Sequence, residues 1–223
     1  MTLKLFCKAI IRFILGAAIT GLLLFAPAGT FNYPEAWLFM GILFIPMFIA
    51  GIFMIFISPD LLKKRLNAKE EQSEQKVVVA FSGIMFILSF VCAGLSFRFS
   101  WLCFPKWVSY AGTALFLISY ALYAEVMREN QYLSRTVEVQ DGQKVVDTGL
   151  YGIVRHPMYS VTVVLFLSMP LILRSVVSLG FMLFYPVILI KRILNEEKVL
   201  EEGLAGYKEY KTKVKYRLIP FIW

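Results

Sequence analysis

The chain has 223 residues, of which 59% are hydrophobic and 17% are charged, and its formal net charge is +8. A soluble domain of this length is closer to half apolar and a quarter charged, so this composition excludes an ordinary soluble protein. The positive charge could indicate nucleic-acid binding. In a membrane protein, however, basic residues hold the cytosolic loops, so we expect no nucleic-acid partner.

Six apolar segments follow one another along the chain, at 10–26, 36–57, 77–95, 107–123, 158–173 and 175–190. The second and third contain no charged residue, and each is long enough to cross a bilayer core of about 30 Å at about 1.5 Å per residue. The first could instead be a signal peptide. Arg12 inside it and the lack of a small-x-small cleavage site favour a retained span.

Basic residues alternate between the two ends of these segments. Of the 23 Lys and Arg residues, twenty lie in or beside the two termini and the second and fourth connections. The first, third and fifth connections, which would lie on the other side of the membrane, hold only three: Arg98, Lys106 and Arg174. The positive-inside rule therefore predicts that both termini are cytosolic. The compact length suggests a prokaryotic plasma membrane.

The last two apolar segments are unusually short. Each has about 16 residues, or roughly 24 Å as a helix, and each contains a proline, Pro170 and Pro186. This pattern predicts a tight helical hairpin of the kind found at binding sites in membrane proteins. Two ordinary tilted spans are the alternative.

Two cytosolic segments have readable patterns. Residues 136–146 alternate around Asp141-Gly142, which predicts a short β-hairpin. From Arg192 the chain is expected to leave the membrane as a charged helix that ends near Gly203.

The densest polar cluster is at 147–159, which reads DTGLYGIVRHPMY and directly precedes the short hairpin. Gly149 and Gly152 allow close approach of the backbone to a ligand. Pro157 suits the first turn of a helix, where backbone N–H groups point outward. His156 is the only histidine, so a site of several histidines is excluded and no metal is expected. A juxtamembrane turn with an aromatic belt is the competing interpretation.

A second cluster, 192–197, reads RILNEE. Arg192 and Glu196 are one helical turn apart and can pair. Glu197 is rotated from that line by about 100°. The alternative is a solvated charged face with no further role.

These two clusters, in this order and followed by Tyr207 and Tyr210, resemble the isoprenylcysteine carboxyl methyltransferase family and the related phospholipid N-methyltransferases. The family pattern is G-x-Y-x-x-x-R-H-P-x-Y, a membrane hairpin, R-x-x-x-E-E, and a Y-x-x-Y segment that ends in L/I-P. The resemblance covers about 130–223, somewhat under half of the chain.

The apolar segments and the resemblance together predict an all-α, polytopic transmembrane bundle with a C-terminal short helical hairpin and cytosolic cofactor-binding segments. We expect N-terminal spans at 1–129 and a cofactor-binding, catalytic region at 130–223. The resemblance implies S-adenosylmethionine as the cofactor and a lipophilic or lipidated methyl acceptor, such as an isoprenylcysteine carboxylate or a phospholipid amine. Membrane lipids are the expected surroundings.

The resemblance also implies roles for single residues. Glu197, with Glu196, would contact the cofactor or order the site, and Arg192 would face the reacting groups. Val161 stands where the family commonly has glycine, and Leu150 stands where many members have proline. The cofactor site would be lined by Gln143, Val146, Tyr151, His156 and Tyr159.

Methyl transfer from a sulfonium is an in-line displacement that requires alignment and charge stabilisation but no metal. A carboxylate acceptor is ionised at neutral pH, whereas an amine would have to pass a proton to His156 or a glutamate. A small transporter or a membrane interaction protein without catalysis is the alternative function. It gives no reason for polar residues to cluster beside the C-terminal hairpin.

Overall fold

The computed structural model describes residues 3–57, 59–66, 73–134 and 136–223. These residues form helices and one 3₁₀ turn at Gly149–Gly152, and a long connection at 130–148 separates α5 from that turn. No β-strand occurs in the described ranges, and the predicted all-α fold is confirmed. The helices are α1 (Leu3–Ala28), α2 (Pro34–Ile57), α3 (Pro59–Leu66), α4 (Ser73–Phe99), α5 (Lys106–Glu129), α6 (Pro157–Ile172), α7 (Val176–Met182), α8 (Phe184–Gly203) and α9 (Tyr207–Lys213).

Five helical stretches are long and apolar enough to cross a membrane, namely most of α1, α2, α4 and α5 and the α7–α8 unit. The α6 helix is apolar but shorter, with 16 residues. The six predicted apolar segments therefore all occur as helices, and the chain is an integral membrane protein.

The predicted C-terminal hairpin is present, but its second arm differs from the prediction. Its first arm, α6, begins with Pro157 in the first helical turn. The second arm is interrupted at Leu183. It continues as α8, a helix that runs to Gly203 and carries charged residues in its C-terminal half. Pro186 does not break it, because this proline lies in the first turn of α8, where a backbone N–H has no intrahelical partner.

The β-hairpin predicted at 136–146 was wrong. The chain does turn at Asp141–Gly142, where the Gln143 amide donates to the Gln140 carbonyl at 3.0 Å. No strands flank this turn. An isolated hairpin is marginal, and here Val145 packs against the C-terminal cluster around Leu204 instead of pairing across a ladder.

Small residues bring the helices that carry the site close together. A Cβ on Gly112 of α5 would lie 2.8 Å from the Leu171 Cβ of α6, so only glycine fits there. Ser89 of α4 and Ser178 of α7 share a hydrogen bond of 2.6 Å. Close approach at small residues and interhelical hydroxyl bonds are the usual means of helix association in membranes. They fix α6 against α5 and α7 against α4.

Candidate functional site

Glu129, at the end of α5, shapes the start of the 3₁₀ turn at Gly149–Gly152. Its carboxylate accepts hydrogen bonds from the Leu150 amide at 3.2 and 3.0 Å. Gly149 has a φ of 56°, and a Cβ at this position would lie 1.6 Å from the Glu129 Oε1. Glycine is therefore required at position 149 for both its backbone conformation and the approach of the carboxylate.

Tyr151 connects this turn to two other elements. Its hydroxyl accepts a hydrogen bond from the Asn130 side-chain amide at 3.0 Å. Its carbonyl accepts one from the Tyr210 hydroxyl at 2.7 Å. The end of α5, the 3₁₀ turn and α9 are therefore joined around one buried ring.

The C-terminal tail forms a brace beneath Arg155 and His156. The Arg155 amide donates to the Tyr216 carbonyl at 2.9 Å, and the His156 amide donates to the Arg217 carbonyl at 3.0 Å. The Arg155 guanidinium also donates to the Val214 carbonyl at 2.7 Å. These bonds place the start of α6 against the tail.

Glu197 is the centre of a buried cluster of charges. Its side chain is 3% exposed, and it accepts hydrogen bonds from Arg155 at 2.7 Å and from Arg217 at 3.1 Å. The His156 Nε2 lies 3.3 Å from the same carboxylate, and the Lys211 Nζ lies 3.6 Å from it. A buried carboxylate is costly unless it is paired in this way. The cluster therefore ties α8 to the turn, α9 and the tail.

Tyr159 lies between Arg192 and Glu196. Arg192 Nε donates to the Tyr159 hydroxyl at 2.9 Å, and that hydroxyl donates to Glu196 Oε2 at 2.5 Å. The guanidinium also donates to Gln75 Oε1 at 3.2 Å, and Gln75 Nε2 donates to the Arg192 carbonyl at 3.4 Å. Gln75 is fully buried at the start of α4. The position of the Arg192 side chain is therefore fixed by groups on two other helices.

These elements enclose a cavity, here called the polar cavity, of about 840 Å³ when its open mouth is included. All of its lining residues lie between Asn130 and Tyr210. Glu197 is not among them and lies behind the wall. The predicted site residues that line the cavity are Gln143, Val146, Tyr151, His156, Tyr159, Arg192 and Glu196.

The Tyr207 hydroxyl is unusual in the cavity wall. Among the described residues, its oxygen is the one fully buried side-chain nitrogen or oxygen atom that has no hydrogen-bond partner. Burial raises the pKa of Tyr207, and the Glu197 and Glu196 carboxylates raise it further, so the hydroxyl remains neutral.

A second depression, here called the apolar groove, lies between α4, α5, α6 and α8, with a volume of about 1170 Å³ including its open side. Lining residues recur at helical spacing on three helices. They are Val78, Ser82 and Phe86 of α4, Thr162 and Phe166 of α6, and Tyr185 and Leu189 of α8. The groove and the polar cavity share Ser134, Thr136, Met158, Tyr159 and Arg192, so they meet at the Tyr159–Arg192 pair.

Several site residues were not predicted from the sequence. Arg155 and Tyr210 stood inside the quoted motifs, and their positions there were the available signal. Asn130 and Gln75 carried no signal, because a single amide side chain at a helix end is common. Within the described residues, no group of three or more His, Cys, Asp or Glu side chains could hold a metal ion.

Comparison with known proteins gives three findings. Residues 110–202 match the model of the isoprenylcysteine carboxyl methyltransferase (ICMT) family. The chain is 28% identical over 91 residues to the Delta(14)-sterol reductase TM7SF2 of Mus musculus, a match that covers 40% of this chain and 22% of that relative. The chain thus corresponds to less than a quarter of the reductase.

The third finding concerns the fold. The solved structure of the eukaryotic intramembrane Ras methyltransferase ICMT superposes with a TM-score of 0.50 at 16% identity, covering 100% of this chain and 88% of that chain. At this identity the match shows the fold. The chain therefore has the membrane fold of ICMT, and its residues 110–202 match the model of the isoprenylcysteine carboxyl methyltransferase family.

Proposed function

We propose that this protein is an integral membrane methyltransferase that transfers the methyl group of S-adenosylmethionine to the carboxylate of a lipophilic acceptor. One observation carries the proposal. A polar cavity and an apolar groove meet at Tyr159 and Arg192, so a polar methyl donor and an apolar acceptor would meet at the same two side chains. The family match at residues 110–202 supports the same reaction class.

The residues of the polar cavity fit the proposed cofactor. Gln143 and Tyr151 offer polar groups, while Val146, Leu200 and Leu204 offer apolar surface for a flat base. When bound, S-adenosylmethionine supplies an electrophilic methyl group on a positively charged sulfonium. The Glu196 carboxylate in the wall would favour that charge.

Arg192 is the residue that we expect to hold the acceptor. Its guanidinium is fixed by Tyr159 and Gln75 at the junction. A guanidinium binds a carboxylate with strong, directional hydrogen bonds. A fixed arginine would therefore orient the acceptor oxygen toward the cavity, which is the alignment that a displacement reaction needs. Glu197, behind the wall, would order the site through Arg155 and His156 without touching the reacting atoms.

The proposal names a carboxylate acceptor because a carboxylate is ionised at neutral pH and needs no base. An amine acceptor would have to pass a proton to a group in the cavity wall, where His156 and Glu196 both lie.

The distribution of basic residues supports an orientation with both termini and the polar cavity in the cytosol. A prokaryotic plasma membrane is the proposed location. We propose no nucleic-acid partner and no metal.

The similarity to a sterol reductase favours a second candidate function. The same cavity would then hold a hydride-donating nucleotide, and the groove would hold a sterol. The two functions differ in the ligand of the polar cavity, so one binding experiment separates them.

Calorimetric titration of the detergent-solubilised protein tests the proposal. S-adenosylmethionine and S-adenosylhomocysteine are expected to bind, and NADPH is not. Methyl transfer is then measured with N-acetyl-S-farnesylcysteine and with phosphatidylethanolamine as acceptors. Binding of NADPH alone would favour the reductase, and no binding of any of these ligands would favour a transporter or an interaction protein.

A further inference from the structure

Tyr207 lies in the wall of the polar cavity, and its hydroxyl has no hydrogen-bond partner among the described residues. The residue is 4% exposed. Buried polar groups in folded proteins nearly always have a hydrogen-bond partner, so the partner of this hydroxyl is sought in a bound group. Because the residue lines the cavity, a ligand inside the cavity can be that partner.

Tyr210 provides a direct comparison on the same helix. Its hydroxyl donates to the Tyr151 carbonyl at 2.7 Å, so its hydrogen-bonding capacity is used within the protein. The two rings lie 5.7 Å apart between centroids and are both buried. The Tyr210 hydroxyl therefore forms a hydrogen bond within the protein, and the Tyr207 hydroxyl does not.

The surroundings of Tyr207 indicate which part of a ligand it would meet. It belongs to an apolar cluster with Leu204, against which Leu200 and Val145 pack. All four residues line the cavity, and none of them belongs to the set shared with the apolar groove. The reacting methyl group must reach the groove, so the opposite, apolar part of the cavity suits the flat adenine ring.

We infer that the Tyr207 hydroxyl forms a hydrogen bond with the adenosine part of the cofactor. This inference rests on the proposed function and adds a binding residue and an orientation to it. The cofactor would lie with its adenosine part among Val145, Leu200 and Leu204 and with its sulfonium toward Tyr159. Tyr207 is a binding residue in this arrangement and has no part in the transfer step.

The test is the Tyr207→Phe variant of the full chain, with Tyr210→Phe as the matched control. Without ligand, Tyr207→Phe should melt at the wild-type temperature or above it, because the lost hydroxyl had no partner. Tyr210→Phe should melt at a lower temperature, because it loses the bond to Tyr151. The Kd of Tyr207→Phe for S-adenosylmethionine should rise about tenfold.

5′-Methylthioadenosine, which lacks the amino-acid part of the cofactor, tests the orientation. Its Kd should rise by the same factor in Tyr207→Phe. A wild-type Kd of this variant for both ligands would overturn the inference. A raised Kd of this variant for S-adenosylmethionine together with an unchanged Kd for 5′-methylthioadenosine would overturn the contact with adenosine. If the wild-type protein bound neither ligand, the proposed function itself would fail, and this result is distinct from the other two.

Discussion

The polar cavity and the apolar groove are adjacent but are built in different ways. The cavity is lined by the connection after α5, the start of α6, the C-terminal half of α8 and α9, all after residue 129, and the buried charges around Glu197 lie behind it. The groove is made from helix faces, and its far end is closed by rings, with Phe86 and Tyr185 each 4.8 Å from Phe166 between centroids. Its α4 side comes from the N-terminal half of the chain.

This difference suggests that the two sites recognise different ligands through different parts of the chain. Recognition of the cofactor would depend on residues close together in sequence, whereas recognition of the acceptor would depend on helices from both halves of the chain. Substitutions in the cavity should change the cofactor Kd, those in the groove should change the acceptor KM, and those at the junction should change turnover. Four variants, from the largest expected effect to the smallest, test this division.

Arg192→Ala removes the side chain at the junction. We expect kcat to fall by roughly a hundredfold, or on the order of 3 kcal/mol of barrier, because the acceptor loses its fixed charged partner. The cofactor Kd should stay within twofold. Arg192→Lys should restore only part of the rate, since an ammonium lacks the planar fork of a guanidinium. Initial rates and calorimetry on the same samples measure both effects, and wild-type turnover of Arg192→Ala would contradict this role.

Glu197→Gln removes the negative charge at the centre of the buried charge cluster. The cofactor Kd should rise at least tenfold, or about 1.4 kcal/mol, because Arg155 and Arg217 lose their buried partner and the wall loosens. Glu202→Gln, an exposed position on the same helix, is the control and should bind as the wild type does. Calorimetry measures the cofactor Kd of both variants, and equal values would show that the buried charge cluster does not order the cavity.

Gly83→Leu narrows the groove without touching the cavity. Nothing lies within 4 Å of a Cβ at this position, so the new side chain fits and occupies space available to an acceptor. The acceptor KM should rise about fivefold, somewhat less than the effect of a misplaced methylene group in a closed apolar pocket. Gly41→Leu in α2 has equal room and lies outside the groove, so it controls for added bulk. An unchanged KM in Gly83→Leu would place the acceptor elsewhere.

Glu125→Gln breaks an exposed ion pair for comparison with the buried one. Glu125 and Arg128 lie 2.5 Å apart on the surface of α5. Exposed pairs contribute little to stability, so melting temperature, cofactor Kd and acceptor KM should all stay close to the wild type. Thermal melting and the same kinetic assays check this. A loss comparable to that of Glu197→Gln would mean that burial does not set the importance of a carboxylate here.

The sequence predicted the helices well, because long uncharged runs in a membrane have few alternatives to a helix. Seven of the predicted site residues line the polar cavity, five of them from two short motifs, whereas Glu197 lies behind its wall. The turn at Asp141–Gly142 was recognised, but the flanking alternation did not produce strands. Packing of Val145 on the C-terminal cluster decided the structure there, and local pattern could not predict this contact.

Two further features required the tertiary structure. The spacing of Arg192 and Glu196 predicted a pair along one helix, and the structure places the hydroxyl of Tyr159 between them. The inward position of Glu197 follows from four basic partners that come from the turn, α9 and the tail. Long-range contacts of this kind have no periodic signal in the sequence.

The open side of the groove has a consequence for kinetics. Val79 is 53% exposed on α4, and Gly83 is exposed beside it. Both line the groove and lie in a helix that is long and apolar enough to cross a membrane, so we expect this opening to face the hydrocarbon of the bilayer. An acceptor that enters from there is drawn from a two-dimensional pool. The rate would then follow the mole fraction of acceptor among the lipids, not its amount per volume of solution. Diluting the acceptor with inert lipid at constant total acceptor should slow the proposed methyl transfer, while adding buffer should not.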